Sequence, residues 1–309
     1  MKQRESGVAL VLEGGGYRGI FTAGILDVLM EHGLAGVFAS VWGTSAGAMN
    51  AINFKSHQLG RTMRIMLAFR DDRRFMSFTS LVRTGNLTGG DFVYDKVQNR
   101  LDPCDNNVFN DNPMAMYAIA SDVVFGTAAY LPVETLPTDI LKVRASASLP
   151  VVSQMVEIDG HRYLDGGTTD SIPFAAALGL ADALSPLPKD YTPALRAVVV
   201  VTQDRTYEKE PSSELIAVRS HRYDDYPYYL EALRSRYLRY NAQRDLLWKL
   251  EEQGTAFVFS PSKPVEVATN ERDGSRLLDL YLQGRKQAES RLDEMKAFLR
   301  SAGPQHETD

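Results

Sequence analysis

Short apolar runs alternate along the chain with stretches that mix apolar and small residues. Val8–Leu12 is a run of five apolar residues that stops at three glycines, which is typical of a buried strand ending in a tight turn. Gly19–Glu31 predicts the helix that follows, and Gly33 suits the end of that helix. Residues 37–42 predict a second strand and residues 46–57 a second helix, so strands and helices alternate from the start.

The middle of the chain continues this alternation. The dipeptide Asp159-Gly160 predicts a hairpin between two short strands, and residues 138–149 predict a helix. Four consecutive valines within residues 196–202 indicate a strand that is buried on both faces. The predicted strands after the first two are residues 114–121, 123–131, 154–158, 161–164, 196–202 and Ala256–Phe259.

This order of elements predicts an α/β fold with a mostly parallel central sheet and helices on both faces. In the C-terminal third, apolar residues recur mainly three and four positions apart in two stretches, which predicts two amphipathic helices packed on the sheet. Those positions are Leu230, Leu233, Tyr237, Tyr240 and Leu247, then Leu277, Tyr281, Gly284, Ala288, Leu292, Met295 and Leu299. We predict one domain over residues 1–300, with a core of about 7–202, C-terminal helices of about 211–300 and a polar tail at 301–309.

Composition narrows the class of protein. The 309 residues include 34 Lys and Arg and 39 Asp and Glu, and the net charge of −5 argues against a nucleic-acid-binding protein. Cys104 is the only cysteine, so an intramolecular disulfide is excluded and a cysteine-based metal site is disfavoured. No apolar run approaches the roughly 20 residues of a membrane span, and Val8–Leu12 is too short for a signal peptide. We therefore expect a soluble, cytoplasmic protein.

A candidate nucleophile lies between the second strand and the second helix. Gly43, Ser45 and Gly47 satisfy the pattern G-x-S-x-G, in which a sharp turn exposes the serine hydroxyl. The following helix directs its N-terminus at this serine, where its dipole favours developing negative charge. The same five residues could also form an ordinary tight turn between a strand and a helix.

The glycine-rich loop after the first strand allows three interpretations. The N–H groups of Gly14, Gly15 and Gly16 could form an oxyanion hole. The segment 14–19 also satisfies G-x-G-x-x-G, which would indicate a nucleotide-binding oxidoreductase. That function needs an acidic residue at the end of the second strand, where residues 42–45 provide none. A plain connection without a ligand is the third possibility.

A nucleophilic serine needs a base. Among the five histidines, His221 combined with Asp165 fits the order of a histidine-dependent esterase, although Ser45 follows unusually few strands for that class. Asp165 is itself a candidate, because it follows a short strand and precedes two glycines. A free aspartate has a pKa of about 3.9, so it would need a partly desolvated site to act as a base. An ordinary Asp-Gly turn is the alternative.

Taken together and in this order, GGGYRG at 14–19, GTSAG at 43–47 and DGG at 165–167 resemble the patatin-like phospholipase family. The resemblance implies a three-layer architecture and a dyad of Ser45 as nucleophile and Asp165 as proton acceptor, without histidine. It assigns the oxyanion hole to the three loop glycines, Gly14, Gly15 and Gly16. Arg18 matches the loop's arginine and is expected to support the loop or a substrate anion. Glu13 stands where the family often has aspartate.

The resemblance also implies a function. It points to a serine acyl hydrolase that cleaves carboxylic esters of lipids, of phospholipase A or lysophospholipase type, with no metal and no organic cofactor. The expected partners are a lipid or other acyl-ester substrate and, peripherally, the inner face of a membrane, while the oligomeric state stays open. A relative that keeps the fold and only binds lipid is a further alternative.

Two segments carry a second interpretation. Residues 219–244 are rich in arginine and tyrosine, which suits an interface with anionic lipids. They also suit a helix with its aromatic side chains inward and its arginines in solvent, which the apolar spacing favours. Residues 70–91 are polar and glycine-rich, as in a mobile lid or a plain surface loop.

Overall fold

The computed structural model describes residues 7–72, 92–181, 184–269 and 271–301. Within these ranges eight strands form a single sheet in the order β5-β6-β3-β2-β1-β7-β8, and β4 pairs with β3. The strands are β1 (Val8–Leu12), β2 (Ser40–Thr44), β3 (Ala115–Asp122), β4 (Thr127–Pro132), β5 (Val156–Ile158), β6 (His161–Asp165), β7 (Arg196–Val200) and β8 (Ala256–Phe259).

Helices flank this sheet. The α-helices in the described ranges are α1 (Gly19–Glu31), α2 (Ala46–Lys55), α3 (Arg61–Phe69), α4 (Asn106–Asp111), α5 (Ile140–Ser146), α6 (Phe174–Ala177), α7 (Leu215–Arg219), α8 (Pro227–Arg234), α9 (Arg236–Glu252), α10 (Gly274–Ser290) and α11 (Leu292–Arg300). A π-helix covers Phe92–Leu101, and short 3-10 turns include Gly166–Thr168 and Pro211–Glu214. None of the helices in the described part of the chain is long and apolar enough to cross a bilayer.

The predicted fold class is confirmed. The pairs β1–β2, β1–β7, β2–β3 and β7–β8 are parallel, whereas β4, β5 and β6 join by antiparallel pairing. Along the central strand β1, Leu10 and Leu12 face a core built with α1, α2 and α10. Ala9 and Val11 face a second core, which includes residues of α6 and α9. Alternate residues of one buried strand therefore serve two cores, which makes three layers.

Several boundaries differ from the sequence prediction. Residues 35–37 form a 3-10 turn, so the second strand begins at Ser40 rather than at 37. The side chain of Asp122 accepts the N–H groups of Val124 and Phe125, and this turn delays β4 to Thr127.

Each predicted C-terminal helix is in fact two helices. The backbone leaves helical geometry at Ser235 (φ −94°, ψ 3°) and at Arg291 (φ −110°, ψ 11°). Apolar spacing continues across both breaks, which is why the pattern alone indicated uninterrupted helices. Of the predicted tail, residues 302–309 lie outside the described part of the chain.

The edge of β3 brings two strand ends together. β4 occupies one edge of β3 over residues 117–122. The opposite edge pairs first with β2, in parallel, up to Ile119 opposite Thr44. It then pairs with β6, antiparallel, from Ala120 opposite Asp165. Because β2 and β6 run toward each other and end at neighbouring positions of β3, Ser45 and Asp165 meet at the centre of the sheet.

Helices α1 and α10 cross at two glycines. A Cβ added at Gly24 would lie 2.2 Å from the carbonyl oxygen of Tyr281, and one added at Gly284 would lie 2.2 Å from that of Phe21. Real side chains do not approach backbone this closely, so the two helices touch because both positions lack a Cβ.

We predict that Gly284→Ala lowers the free energy of unfolding by about 1–3 kcal/mol, because the added methyl group must push α1 and α10 apart. Gly36→Ala is the matched control, since a Cβ at Gly36 meets no atom within 4 Å. Urea denaturation measures both variants. Equal stability of the two would contradict the close helix contact.

Candidate active site

Ser45 occupies a strained turn between β2 and α2. Its backbone angles, φ 55° and ψ −120°, are rare for a residue with a side chain. A Cβ at Gly43 would lie 2.5 Å from the carbonyl carbon of Gly47, and one at Gly47 would lie 2.3 Å from the carbonyl oxygen of Leu12. The two glycines therefore permit the turn. Strain of this kind is typical of functional sites, where it projects a reactive side chain.

The glycine-rich loop lies beside this serine. Gly14, Gly15 and Gly16 line the same cavity as Ser45. Among the described residues, none of their three N–H groups donates a hydrogen bond to a protein acceptor. These donors are thus available to an oxygen atom bound in the cavity.

Arg18 also lines this cavity. It donates from Nη1 to Thr269 Oγ1 at 3.1 Å, while its buried Nε has no partner within the described ranges. One side of the guanidinium is therefore fixed to the loop that carries Thr269, and its Nε donor is unused.

Glu13, which directly precedes the glycine-rich loop, holds it in place through buried hydrogen bonds. This carboxylate is 3% exposed and accepts hydrogen bonds from Thr202 N–H and from the hydroxyl of Tyr240, the latter at 2.6 Å. Thr202 Oγ1 in turn donates to the carbonyl oxygen of Gly14 at 2.9 Å. The loop is thereby tied to the end of β7 and to α9, and the longer side chain of glutamate spans this distance.

Asp165 ends β6 on the other side of the serine. Its Oδ1 accepts the N–H of Gly167 at 2.7 Å, and its own N–H donates to Ser148 O at 2.7 Å. Its Oδ2 is buried and makes no hydrogen bond to any described residue. Asp165 and Ser45 line the same cavity, so the free carboxylate oxygen belongs to the same site as the serine hydroxyl.

Burial raises the pKa of Asp165 above its ordinary value. The nearby Ser45 hydroxyl, the Gly167 N–H and the Arg236 guanidinium oppose that rise in pKa, whereas Glu214 adds to it. A carboxylate with a raised pKa is a stronger base than a free aspartate. A free aspartate is too weak a base to accept a proton from serine, and burial in this site reduces that difficulty by raising the pKa of Asp165.

The structure adds a residue that the sequence pattern left without a role. Ser146 ends α5, and its Oγ accepts the N–H of Ser45 at 2.9 Å. This hydrogen bond satisfies the backbone of the strained turn from a point 101 residues away. In the sequence, Arg144-Ala145-Ser146 ahead of Leu149 and Pro150 resembles a family segment that packs near the site, and that likeness gave Ser146 no specific role.

His221 is not part of this site. Its side chain is 81% exposed and pairs with Asp224, and it does not line the cavity that contains Ser45. No other histidine of the described residues lines that cavity either. The histidine-dependent alternative therefore has no geometric support. The nucleotide alternative has none either, since β2 ends at Thr44 and is followed by Ser45 rather than by an acidic residue.

Two segments had been given alternative interpretations from the sequence, the arginine- and tyrosine-rich residues 219–244 and the polar residues 70–91. Arg236, Arg239 and Arg244 of α9 donate to backbone carbonyl oxygens inside the protein, so the expectation of solvated arginines was wrong for these three. It holds for the exposed Arg219, Arg222 and Arg234. Of the segment considered as a lid, residues 73–91 lie outside the described part of the chain.

No group of three or more histidine, cysteine or acidic side chains suited to a metal ion occurs in the described ranges.

Comparison with known proteins agrees with this geometry. The family model for patatin-like phospholipases matches residues 10–178, and one for a domain of unknown function, DUF6363, matches residues 226–300. The chain belongs to the patatin-like phospholipase family, whose members are carboxylic ester hydrolases.

The individual proteins that match this chain share a third or less of their aligned residues with it. YjjU of Escherichia coli is 33% identical over 175 residues, which cover 55% of this chain and 48% of that protein. The NTE family protein Mb1092c of Mycobacterium bovis is 26% identical over 179 residues, covering 56% and 46%. VipD of Legionella pneumophila aligns in structure with a TM-score of 0.46 and 14% identity, over 93% of this chain and 66% of that one. The chain spans about half the length of the curated relatives it matches.

We predict that Asp165→Asn increases thermal stability at pH 8. A folded-state pKa above the unfolded value means that the protonated form stabilises the fold, and that this stability is lost as the pH rises through the folded pKa. Asparagine keeps the neutral form at every pH, so its advantage should shrink as the pH falls toward 4. Asp279→Asn, an exposed site on α10, controls for the lost charge. A melting temperature below that of the wild type at pH 8 would refute the expectation.

Proposed function

We propose that this chain hydrolyses carboxylic ester bonds of lipids, with Ser45 as the nucleophile and Asp165 as its base. One observation carries the proposal: Ser45 lies where an apolar cavity and a polar cavity meet. A lipid ester has this same division, since its carbonyl group joins an apolar chain to a polar alcohol. Gly16, Leu149 and Thr269 also line both cavities and mark the junction.

The apolar cavity suits the acyl chain. It lies between α2, α3, α5 and the π-helix, and aliphatic and methionine side chains form most of its wall. Methionine adapts its shape to flexible apolar ligands, which favours an alkyl chain over a rigid ring. The aliphatic and methionine side chains concerned are Met49, Ile52, Ile65, Met66, Val93, Val97, Ile140, Val143 and Leu149.

The polar cavity suits an anionic leaving group. It contains Arg18, Lys209 and Arg236, of which Arg236 is paired with Glu214. Lys209 places its ammonium group 5.0 Å from the centre of the Tyr240 ring, and no acidic side chain of the described residues pairs with it. Burial, followed by repulsion from Arg236, lowers the pKa of Lys209 to about 8. Glu214 and Glu13 act on this ammonium group only from a longer range, without a salt bridge. A partly desolvated cation that is not directly paired favours a phosphate group, which supports a phospholipase A or lysophospholipase activity.

The reaction follows from these positions. Asp165 accepts the proton of the Ser45 hydroxyl as Oγ attacks the ester carbonyl carbon. The N–H groups of Gly15 and Gly16 hold the resulting oxyanion, each contributing about 3 kcal/mol to stabilisation of the transition state. The tetrahedral intermediate expels the alcohol, which takes the proton from Asp165 and leaves an acyl-serine. Water then attacks this ester as Asp165 accepts a proton from the water. When the second tetrahedral intermediate collapses, Asp165 returns this proton to Ser45 Oγ, and the fatty acid and free Ser45 are released.

The mouth of the polar cavity supports contact with a lipid surface. Pro150, Val151, Val152 and Ile216 are among its lining residues, and Ile216 is 80% exposed. Apolar side chains around an entrance reduce the cost of transferring a lipid from a bilayer into the site. We therefore place the enzyme peripherally on a membrane during turnover.

A fluorophosphonate probe tests the proposed nucleophile. We expect the wild type to be labelled at Ser45, detected by mass spectrometry of the digest, and to release fatty acid from a lysophospholipid. Asp165→Asn should slow both reactions by about 10²- to 10⁴-fold, since it removes the general base. Ser290→Ala, at an exposed position on α10, should behave as the wild type. Absence of labelling in folded wild-type protein would overturn the proposed activity.

Lys209→Met should separate anionic from neutral substrates. We expect kcat/KM to fall by about 30-fold or more for a lysophospholipid that ends in a free phosphate, because a partly buried charge pair is lost. For the monoacylglycerol with the same chain we expect little change. Lysine is charged below its pKa, so the preference of the wild type for phosphate should weaken above pH 8. Lys286→Met, at an exposed position, is the control, and equal losses on both substrates would contradict the assignment.

A further inference from the structure

Helix α9 carries a row of polar side chains on one face. Arg236, Arg239, Tyr240 and Gln243 stand at positions i, i+3, i+4 and i+7, which fall on one side of a helix. Each of the four donates a hydrogen bond to a loop that carries a candidate catalytic group. This row lies within residues 226–300, the segment that matches the family model of unknown function.

We propose that this segment is a working part of the active site, in which α9 positions both catalytic loops and Arg236 is the positioning residue for Asp165. The inference rests on the proposed Ser45–Asp165 dyad. It gives the C-terminal segment a role in the reaction that a separate, appended domain would not have.

Side chains of α9 donate hydrogen bonds to three residues of the loop after Asp165. Arg236 Nε donates to the carbonyl oxygen of Gly167, and Arg239 Nη2 donates to that of Thr168 at 3.0 Å. Gln243 Nε2 donates to Asp170 Oδ1 at 2.6 Å. The acceptors belong to the turn that directly follows Asp165, so the helix determines where that turn, and with it the carboxylate, is placed.

The same helix holds the glycine-rich loop. Tyr240 donates its hydroxyl hydrogen to Glu13 Oε1 at 2.6 Å, and Glu13 precedes the three candidate oxyanion donors. The base and the oxyanion hole are therefore both attached to one rigid element. A reaction that needs both groups at once benefits from such a common support, since small misplacements of catalytic groups cost large factors in rate.

Besides its hydrogen bond to the Gly167 carbonyl oxygen, Arg236 places a positive charge near the Asp165 carboxylate. Its Nη1 pairs with Glu214, which holds the guanidinium against the turn. A Cβ at Gly167 would lie 3.0 Å from Arg236 Nη2 and 2.9 Å from Asp165 Oδ1, so the missing side chain lets the cation approach the carboxylate. A positive charge at this place stabilises the ionised form of Asp165, which is the form that accepts a proton.

Other groups also act on Asp165. Ser45 from the turn before α2 and Arg236 from α9 lower its pKa, whereas burial and Glu214 from the 3-10 turn Pro211–Glu214 raise it. Tyr94 of the π-helix and Tyr229 of α8 lie within electrostatic range as neutral phenols, since burial raises their pKa values. The Arg236 guanidinium is a charged side chain that favours the carboxylate form of Asp165, so its removal should change the pH dependence of the reaction.

The test is the pH profile of kcat/KM for a neutral p-nitrophenyl ester, which needs no head-group recognition. In Arg236→Gln we expect the acid limb to move to higher pH, because the pKa of Asp165 rises when the cation is lost. Near neutral pH, kcat should fall by about 100-fold with little change in KM, and part of the loss should recover at high pH. Arg236→Lys keeps the charge and should keep the acid limb of the wild type, at an intermediate rate.

Arg234→Gln is the matched control, because this arginine lies two residues earlier with 55% of its side chain exposed. It should leave the profile unchanged. Tyr240→Phe, which removes only the hydroxyl group that donates to Glu13, should lower kcat without moving the acid limb. It provides a second test should Arg236→Gln fail to fold, which circular dichroism would reveal; unchanged kcat in Tyr240→Phe would then count against the proposal.

Two outcomes separate this inference from the proposed function. An active wild type with an unmoved acid limb in folded Arg236→Gln, or with a loss that is equal at every pH, would overturn the role of Arg236 alone. A wild type that neither hydrolyses the ester nor reacts with the fluorophosphonate at Ser45 would overturn the dyad, and this inference with it.

Discussion

The shared edge of β3 is the constraint on which the candidate site depends. One edge carries β2 in parallel up to Ile119 and β6 in antiparallel direction from Ala120, so two strands end facing each other. Successive Cα atoms lie about 3.8 Å apart. The residues that leave these strand ends, Ser45 and Asp165, are thus brought together by backbone pairing, before any side-chain interaction is considered. A wholly parallel sheet would place each strand end beside its neighbours and could not direct two of them at one another.

The meeting point of the two strands lies inside the protein, and this has an energetic consequence. A buried carboxylate loses its hydration, so Asp165 destabilises the fold in its ionised form. The Gly167 N–H, the Ser45 hydroxyl and the charge of Arg236 offset part of that cost. The part that is not offset keeps the pKa of Asp165 raised, as its proposed role as a base requires. Stability and reactivity are therefore opposed at this residue, as they often are in active sites.

The C-terminal helices complete the molecule on both faces of the sheet. Helix α10 packs against α1 through Gly24 and Gly284, where the backbones are in contact. Helix α9 covers the opposite face and directs its polar side chains at the loops around Ser45 and Asp165. The first face contributes apolar packing and the second contributes hydrogen bonds. For this reason the segments matched by two different family models behave in the structure as neighbours that share buried surface.

The sequence by itself predicted most of the elements and proposed the candidate chemistry near them. Predicted and observed bounds agree for β1, α1 and β8, because a short apolar run or a helical spacing bounded by glycine is a local signal. Ser45, Asp165 and the loop glycines were also identified from local motifs. Only the tertiary structure decided which polar groups meet. Tyr240 and Glu13 are 227 positions apart, and Ser146 and Ser45 are 101 apart. Periodicity reveals which face of a helix is apolar, but it does not reveal the partner of a buried arginine or tyrosine, because that partner is fixed by the register of distant strands.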